Sequence, residues 1–292
     1  VKYAFIKQER YEYTLAMLYR VLEVSKSGYL MWLNREPSLR ARENAHLEIE
    51  IKVAHERTRG VYGALRLHRE LNEGGLMIGL GRLKRLRNQL GIRAKQKRRF
   101  ISTTDSRHKL PVAENVLNQT FEASRPNQVW LTDLTYVPTD EGWLYLAAIK
   151  DLFTCEIVGY AMSDRMTTSL VSQALFRATA AKRPAAGLIH HSDRGSQYCS
   201  YEYQGLLRQF KMQPSMSRRG NCYDNAPMES FWGSLKNELV HHRRYLTREH
   251  ARNDITEYIE LFYNRQRRHS RIGYLPPSIF AQHFLPLGKI AR

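Results

Sequence analysis

Apolar positions along this chain change their spacing twice, and each change marks a boundary. Leu15, Leu18, Tyr19 and Leu22 recur at helical spacing, Val24-Ser25-Lys26-Ser27-Gly28 interrupts them, and Tyr29, Leu30 and Leu33 resume the pattern. Serines in such a break are placed to cap a second helix, so residues 1–40 are predicted to form a helix-turn-helix-like segment. Glu23 occupies a turn position there that would suit glycine. A second helical block runs from Ala41 to Gly91, with Leu47, Ile49, Ile51 and Val53, then Leu65, Leu67 and Leu71, then Leu80, Leu83, Leu86 and Leu90. Its last part, Gly81-Arg82-Leu83-Lys84-Arg85-Leu86-Arg87, sets leucines three apart among cations. A helix built this way buries one stripe and presents a cationic face, so residues 41–92 are expected to be a second helical DNA-binding domain using Arg82, Lys84 and Arg85.

From 93 to 126 the chain is polar and poorly periodic, and from Gln128 the period drops to two. Residues 128–137, 143–150 and 156–162 read as strands, joined at the second connection by Asp151-Leu152-Phe153-Thr154, and three successive strands imply an antiparallel meander. A helix over 168–181, a short strand over 188–191 and helices over 200–210, 227–240 and 247–265 complete the reading. Residues 127–292 therefore read as one α+β unit with a basic C-terminal helical extension, behind an all-α front.

Charge sharpens this division. The chain of 292 residues carries 46 Lys plus Arg against 28 Asp plus Glu, a formal +18. Residues 1–110 hold 24 of those cations and 11 of the acids, a net +13, so the front third is built to grip a polyanion. The run Arg93, Lys95, Lys97, Arg98 and Arg99 makes 93–126 a basic linker, expected to order along a DNA backbone. Three cysteines without a close pair give neither a disulfide framework nor a Cys/His zinc site. With no apolar run of membrane-spanning length and no signal peptide, the sequence points to a cytoplasmic protein without membrane partners, nucleoid-associated when on DNA.

Candidate chemistry lies in the α+β part. Val129, Leu131, Asp133, Thr135 and Val137 share one strand face, and an aspartate in apolar surroundings must be paired, protonated or bound to a cation. Asp193 follows a short apolar strand and precedes Arg194-Gly195, at a carboxyl end where open sheets place ligand-binding groups. Glu229 lies near the start of a helix that Asp224 or Asn225 can cap and whose first turn Pro227 marks. Met228, Phe231, Trp232, Leu235 and Leu239 cluster on one side of that helix, with Glu229 and Lys236 at the border of the stripe. Three carboxylates on separate elements repel one another without a cation. Hard oxygen ligands lacking His or Cys select Mg²⁺, with Mn²⁺ able to substitute, and two such ions clamp the attacking and leaving oxygens of a phosphoryl displacement.

Other polar groups have structural readings. Asp151 suits a turn, Asp224 a cap or loop brace, and His190 and His191 a structural place beside Asp193. Arg218-Arg219-Gly220-Asn221 is a loop that could hold DNA. Arg265, Arg267, Arg268 and Arg271 with His269 suggest phosphate contacts late in the chain.

Asp133, 59 residues, Asp193, 35 residues, Glu229 and a lysine seven further on resemble the DDE transposase and retroviral integrase superfamily. Trp130-Leu-Thr-Asp-Leu-Thr-Tyr136, His191-Ser-Asp-Arg-Gly-Ser-Gln-Tyr198, Asp224-Asn-Ala226, Glu229-Ser-Phe-Trp-Gly-Ser-Leu-Lys-Asn-Glu238 and Tyr263-Asn264…Arg268-His269…Pro276 look like bacterial insertion-sequence transposases whose second reading frame encodes the catalytic protein. The resemblance implies an RNase H-like core and Mg²⁺-dependent cleavage at element ends, followed by transfer of the freed 3′-hydroxyl to another strand. It carries Asp133, Asp193 and Glu229 over as metal ligands and Lys236 as a contact to the terminal DNA. The implied partners are double-stranded DNA (terminal inverted repeats and target), a second copy of the chain in a dimer or larger assembly, and an upstream-frame protein. A DNA-binding regulator would not need the acidic triad, and a simple nuclease would not need the basic front.

Overall fold

The computed structural model describes residues 1–95, 111–218 and 222–284. Arg98, Arg99 and Arg219 fall outside these, as do the last eight residues of the basic extension.

Helices α1 (Lys2–Glu9), α2 (Leu15–Val21) and α3 (Lys26–Leu33) form the front segment around Ile6, Leu18 and Tyr29. The break between α2 and α3 is built as the sequence suggests. Ser25 caps α3 by accepting from the Gly28 amide at 3.0 Å, and Glu23 takes φ +53°, the left-handed conformation that glycine would adopt without strain. Helix α1 carries no strong periodic signal and is visible only in the structure.

The second block divides into α4 (Leu39–Arg57), α5 (Ala64–Glu73) and α6 (Leu80–Gln89). Ile51, Leu67, Leu83 and Leu86 are fully buried, whereas Ile49, Val53 and Leu65 point outward. The buried set is not a private core: it is continuous with apolar side chains of the catalytic unit, among them Leu131, Phe231 and Ile259.

The strands β1 (Val129–Thr139), β2 (Gly142–Asp151), β3 (Ile157–Ser163), β4 (Ile189–Ser192) and β5 (Gln213–Met216) form one sheet in the order β3-β2-β1-β4-β5. The first three pair antiparallel as the meander predicts, and β1–β4 and β4–β5 are parallel. Four residues containing a proline concealed β5 from its sequence. On one face lie α7 (Thr168–Lys182), α8 (Ser196–Cys199) and α9 (Tyr201–Gln209), with Leu175 and Ala178 meeting Trp130 and Ile149. Gly159 allows this approach, since a Cβ there would stand 2.6 Å from the Ala174 carbonyl oxygen and 2.7 Å from the Ala178 amide nitrogen.

The opposite face receives α10 (Ala226–Glu238) and α11 (Arg248–Glu257), with the short α12 (Pro277–Gln282) beyond them. The single helix expected over 247–265 instead widens into a π-helical turn over Tyr258–Tyr263. That turn delivers the Asn264 amide to the exposed end of β3, where Oδ1 accepts from the Ile157 N–H at 2.9 Å and Nδ2 donates to the Ile157 carbonyl at 3.0 Å. A side-chain amide here replaces the strand neighbour that β3 lacks.

Segment 111–126 departs from the linker reading. It has no regular structure, yet Leu117 is buried, the Val116 amide donates to Ser215 Oγ at 3.0 Å, and Asn115 and Gln119 bond Asp224 at 3.0 and 2.8 Å. These residues belong to the catalytic unit, held by side-chain hydrogen bonds that leave no periodic trace.

Candidate active site

Register is what brings the first two carboxylates together. Leu131 of β1 pairs with His191 of β4, and Asp133 and Asp193 each follow two residues later. Neighbouring parallel strands run about 4.8 Å apart, so the two aspartates emerge beside one another at the carboxyl end of the sheet. Asp133 Oδ1 accepts from the Leu134 amide at 2.8 Å, and Oδ2 from Trp232 Nε1 at 2.9 Å. Asp193 Oδ1 accepts from the Gly195 amide at 2.9 Å, which fixes the turn after β4.

Helix α10 supplies the third carboxylate and is fastened to the sheet at its start. Asn225 Nδ2 donates to the Thr132 carbonyl at 3.0 Å, one residue before Asp133. Lys150, buried on β2, donates to the Pro227 carbonyl at 3.1 Å. Met228, Phe231, Trp232 and Leu235 bury the stripe read from the sequence, leaving Glu229 exposed at its edge.

Electrostatics record the convergence. Burial pushes the Asp133 carboxyl well above its usual range; Asp193 raises it further and Glu229 adds to that, against the two hydrogen bonds that favour the anion. Burial also raises the Glu229 carboxyl. Lys236 is buried 5.2 Å from the Tyr136 ring centroid, and burial lowers its ammonium to about 8 although Asp133 draws it upward. Among the described residues no three His, Cys, Asp or Glu side chains stand close enough to hold a metal ion between them as they are. The donor set nonetheless fits a hard divalent ion: carboxylate oxygens only, two on adjacent strands, and a third on the exposed edge of α10 where rotation about its side-chain bonds is free.

The structural readings of the neighbours hold. Asp224 is fully buried, braced by Arg218, Asn115 and Gln119; the Arg218 guanidinium holds its carboxyl below the usual range. Asp151 Oδ1 accepts from the Thr154 amide at 2.8 Å, closing the turn after β2. His190 bonds Tyr203 Oη at 3.1 Å, and His191 bonds Ser215 and Ser217 at 2.9 and 3.2 Å, so both rings serve the interior of the sheet.

Of the cations expected on DNA, Lys84, Arg85 and Arg265 are exposed. Two are committed internally. Arg82 bonds Asn44 Oδ1 at 3.0 and 2.8 Å and Glu43 at 2.9 Å, and Arg268 pairs with Glu70 and Glu73, each at 2.6 Å. Arg268 lies between two carboxylates and Arg82 between a carboxylate and an amide, so much of their charge and donor capacity is met inside the protein, which the density of arginines in sequence could not reveal. Trp232, Asn225 and Lys150 were the site residues missing from the sequence reading. Trp232 looks like one more member of an apolar stripe until its indole N–H is seen to meet Asp133.

A mixed sheet in this order, with carboxylates within β1, just after β4 and on helix α10, defines an integrase-type catalytic core behind a helical DNA-binding front. Family models agree: two described as an integrase core domain match residues 123–222 and 210–277, and one described as an HTH-like domain matches 41–100. The insertion element IS600 uncharacterized 31 kDa protein of Shigella sonnei is 59% identical over 265 residues, covering 91% of this chain and 97% of its own length. The transposase InsF for insertion sequence IS3A of Escherichia coli (strain K12) is 41% identical over 282 residues, covering 96% of this chain and 98% of its own. The chain belongs to the IS3 family of insertion-sequence transposases. Among solved structures, a chain of the simian T-cell lymphotropic virus intasome aligns with TM-score 0.48 and 16% identity over 79% of this chain and 78% of that one. The HTLV-2 integrase catalytic core domain in complex with magnesium aligns with TM-score 0.44 and 16% identity, over 55% of this chain and 99% of that one. Among the described residues, no helix is long and apolar enough to cross a membrane.

Proposed function

We propose that this transposase cleaves a phosphodiester bond at each end of its element and joins the freed 3′-hydroxyl to target DNA, with Asp133, Asp193 and Glu229 as the catalytic carboxylates. The carrying observation is the register of β1 on β4 that sets Asp133 beside Asp193, with Trp232 tying Asp133 to the helix that carries Glu229, so that burial and both other acids oppose its charge. Such an arrangement is costly unless it holds a cation. The residues suit two Mg²⁺ ions, with Mn²⁺ as substitute, once Glu229 turns inward from the edge of α10. When bound, such ions activate the attacking oxygen and stabilise the leaving one. The protein's part is positional. Leu134 and Trp232 fix the Asp133 oxygens, Gly195 fixes Asp193, and Asn225 and Lys150 hold the start of α10 at a set distance from β1. Lys236, on the same flank of α10, contacts the terminal nucleotides. Lys84 and Arg85 of α6, and Arg265, engage duplex DNA.

Joining requires two ends held together, so the working form is a dimer or larger assembly on DNA; an upstream-frame protein is a further candidate partner. The test is incubation with Mg²⁺ and duplexes carrying the terminal repeats, with products mapped at nucleotide resolution. Wild-type protein should cut and join, and Asp193→Asn should do neither while binding the same duplex. Joining at the wild-type rate by that variant would refute the site assignment.

A further inference from the structure

Inward and outward positions on α6 separate by helical period. Leu83, Leu86 and Arg87 are buried, and Gly81, Lys84, Arg85 and Asn88 are exposed. These four stand at i, i+3, i+4 and i+7, a single stripe along the helix, with exposed Gln89 at its C-terminal end. Among the described residues, the Lys84, Arg85 and Asn88 side chains have no partner. Their neighbour Arg82, off the stripe, is consumed by Asn44 and Glu43.

Gly81 is the informative member. Glycine in a helix lowers stability relative to alanine, so it calls for a reason. Its backbone is helical, not left-handed, and a Cβ there would meet nothing within 4 Å. Neither backbone conformation nor internal packing demands glycine at this place. The remaining reason is external: without a side chain, the first turn of α6 can approach a large surface closely.

We propose that Gly81, Lys84, Arg85 and Asn88 are the base-reading stripe of α6, laid into the major groove of the element's terminal DNA. The chemistry of the stripe matches that floor. Arg85 presents a bidentate fork to guanine O6 and N7, Asn88 a donor and acceptor to adenine N7 and N6, and Lys84 a point charge to the flanking phosphate. Gly81 removes the side chain that would hold the helix off the bases. This assignment rests on the reading that the front of the chain recognises element ends, and it divides the labour among four residues.

The test uses the full chain with EDTA, so that no strand is cut, and selects bound duplexes from a randomised pool. Affinity is then measured on the selected and on a scrambled duplex across a salt series. Arg85→Ala and Asn88→Ala are each expected to lose preference at a separate base pair, with roughly tenfold to hundredfold weaker binding to the selected duplex and little change on the scrambled one. Lys84→Ala weakens both and lowers the salt slope by about one. Gly81→Ala raises the melting temperature by roughly a degree or two while weakening binding to the selected duplex. That opposition of signs is not produced by damage to the fold. If the wild type selects no sequence, end recognition itself fails. If it does select one and the Gly81, Arg85 and Asn88 variants keep its preference and affinity, or weaken both duplexes alike, the stripe is not the reader.

Discussion

Asp133 is held by two donors of different origin, the amide of its own strand and the indole of Trp232 on α10. The second ties the first carboxylate to the helix that carries the third. Trp232→Phe keeps an aromatic ring and removes that N–H together with part of the buried indole volume. A hydrogen bond to a charged group contributes about 1.5–3 kcal/mol, and loss of the partner that orients a metal ligand typically costs 10- to 100-fold in metal affinity or activity. The variant should therefore need roughly tenfold more Mg²⁺ for half-maximal cleavage while its DNA affinity without metal is unchanged. An unaltered Mg²⁺ titration would show that the indole is merely packed there. Asp224 illustrates the opposite case, a carboxylate spent wholly on structure by Arg218, Asn115 and Gln119.

At the scale of elements, the short strand β4 and the loop after the π-helical turn each hold a histidine that burial keeps neutral. Burial lowers His190 to about 3, and burial with the nearby cations Lys150 and Arg267 lowers His269 to about 3. A histidine in the unfolded chain titrates near 6.5. Between these values the unfolded chain binds more protons than the folded one. The contribution to stability is thus present above about 6.5 and is lost as pH falls toward the folded values. Thermal melts without metal should show the midpoint dropping steadily from pH 7 to pH 4.5. His190→Gln, which can still bond Tyr203, should make that drop shallower; an identical slope would mean that other groups govern the acid limb. Helix α10 is fixed at this scale at its start by Asn225 and Lys150 and along its buried side by Met228, Phe231 and Leu235, with its Glu229 edge open.

Across the whole molecule, the α4–α6 unit and the catalytic unit share one apolar core and a polar seam, whereas α1–α3 keep a small core of their own. Arg268 reaches Glu70 and Glu73, its amide donates to Tyr62 Oη at 2.7 Å, and Arg59 pairs with Glu257. The seam sets the distance between α6 and the carboxylates. Arg268→Ala removes two ion pairs of the seam and leaves Glu70 with Arg57 alone, a loss of about 1.5–3 kcal/mol. Calorimetry should then resolve an early transition for the α4–α6 unit, where the wild type gives a single one. Mapped cleavage products should also spread over adjacent phosphodiesters while affinity for the end is kept. A single sharp cut in that variant would leave the seam no role in positioning.

Much of this protein is written in local pattern. Helical spacing, the period-two strands, the Ser25 cap and the misfit of Glu23 are properties of short windows, and short windows decide backbone conformation. Asp133 stands out in the sequence because a carboxylate on an apolar strand face conflicts with its surroundings wherever that strand goes, whereas Asp193 is read from a strand end and Glu229 from the border of a helical stripe. Tertiary structure alone decided what depends on distant partners. The parallel register of β1 and β4 sets Asp133 beside Asp193, segment 111–126 joins the core, and Trp232 turns from filler into a donor. Among the arginines, too, the sequence gives the charge of Arg82, Arg85 and Arg268 alike, but only the fold puts carboxylates beside two of them and leaves the third facing outward. Side-chain chemistry is fixed residue by residue; whether it is spent on the protein or offered to DNA depends on which neighbours the fold supplies.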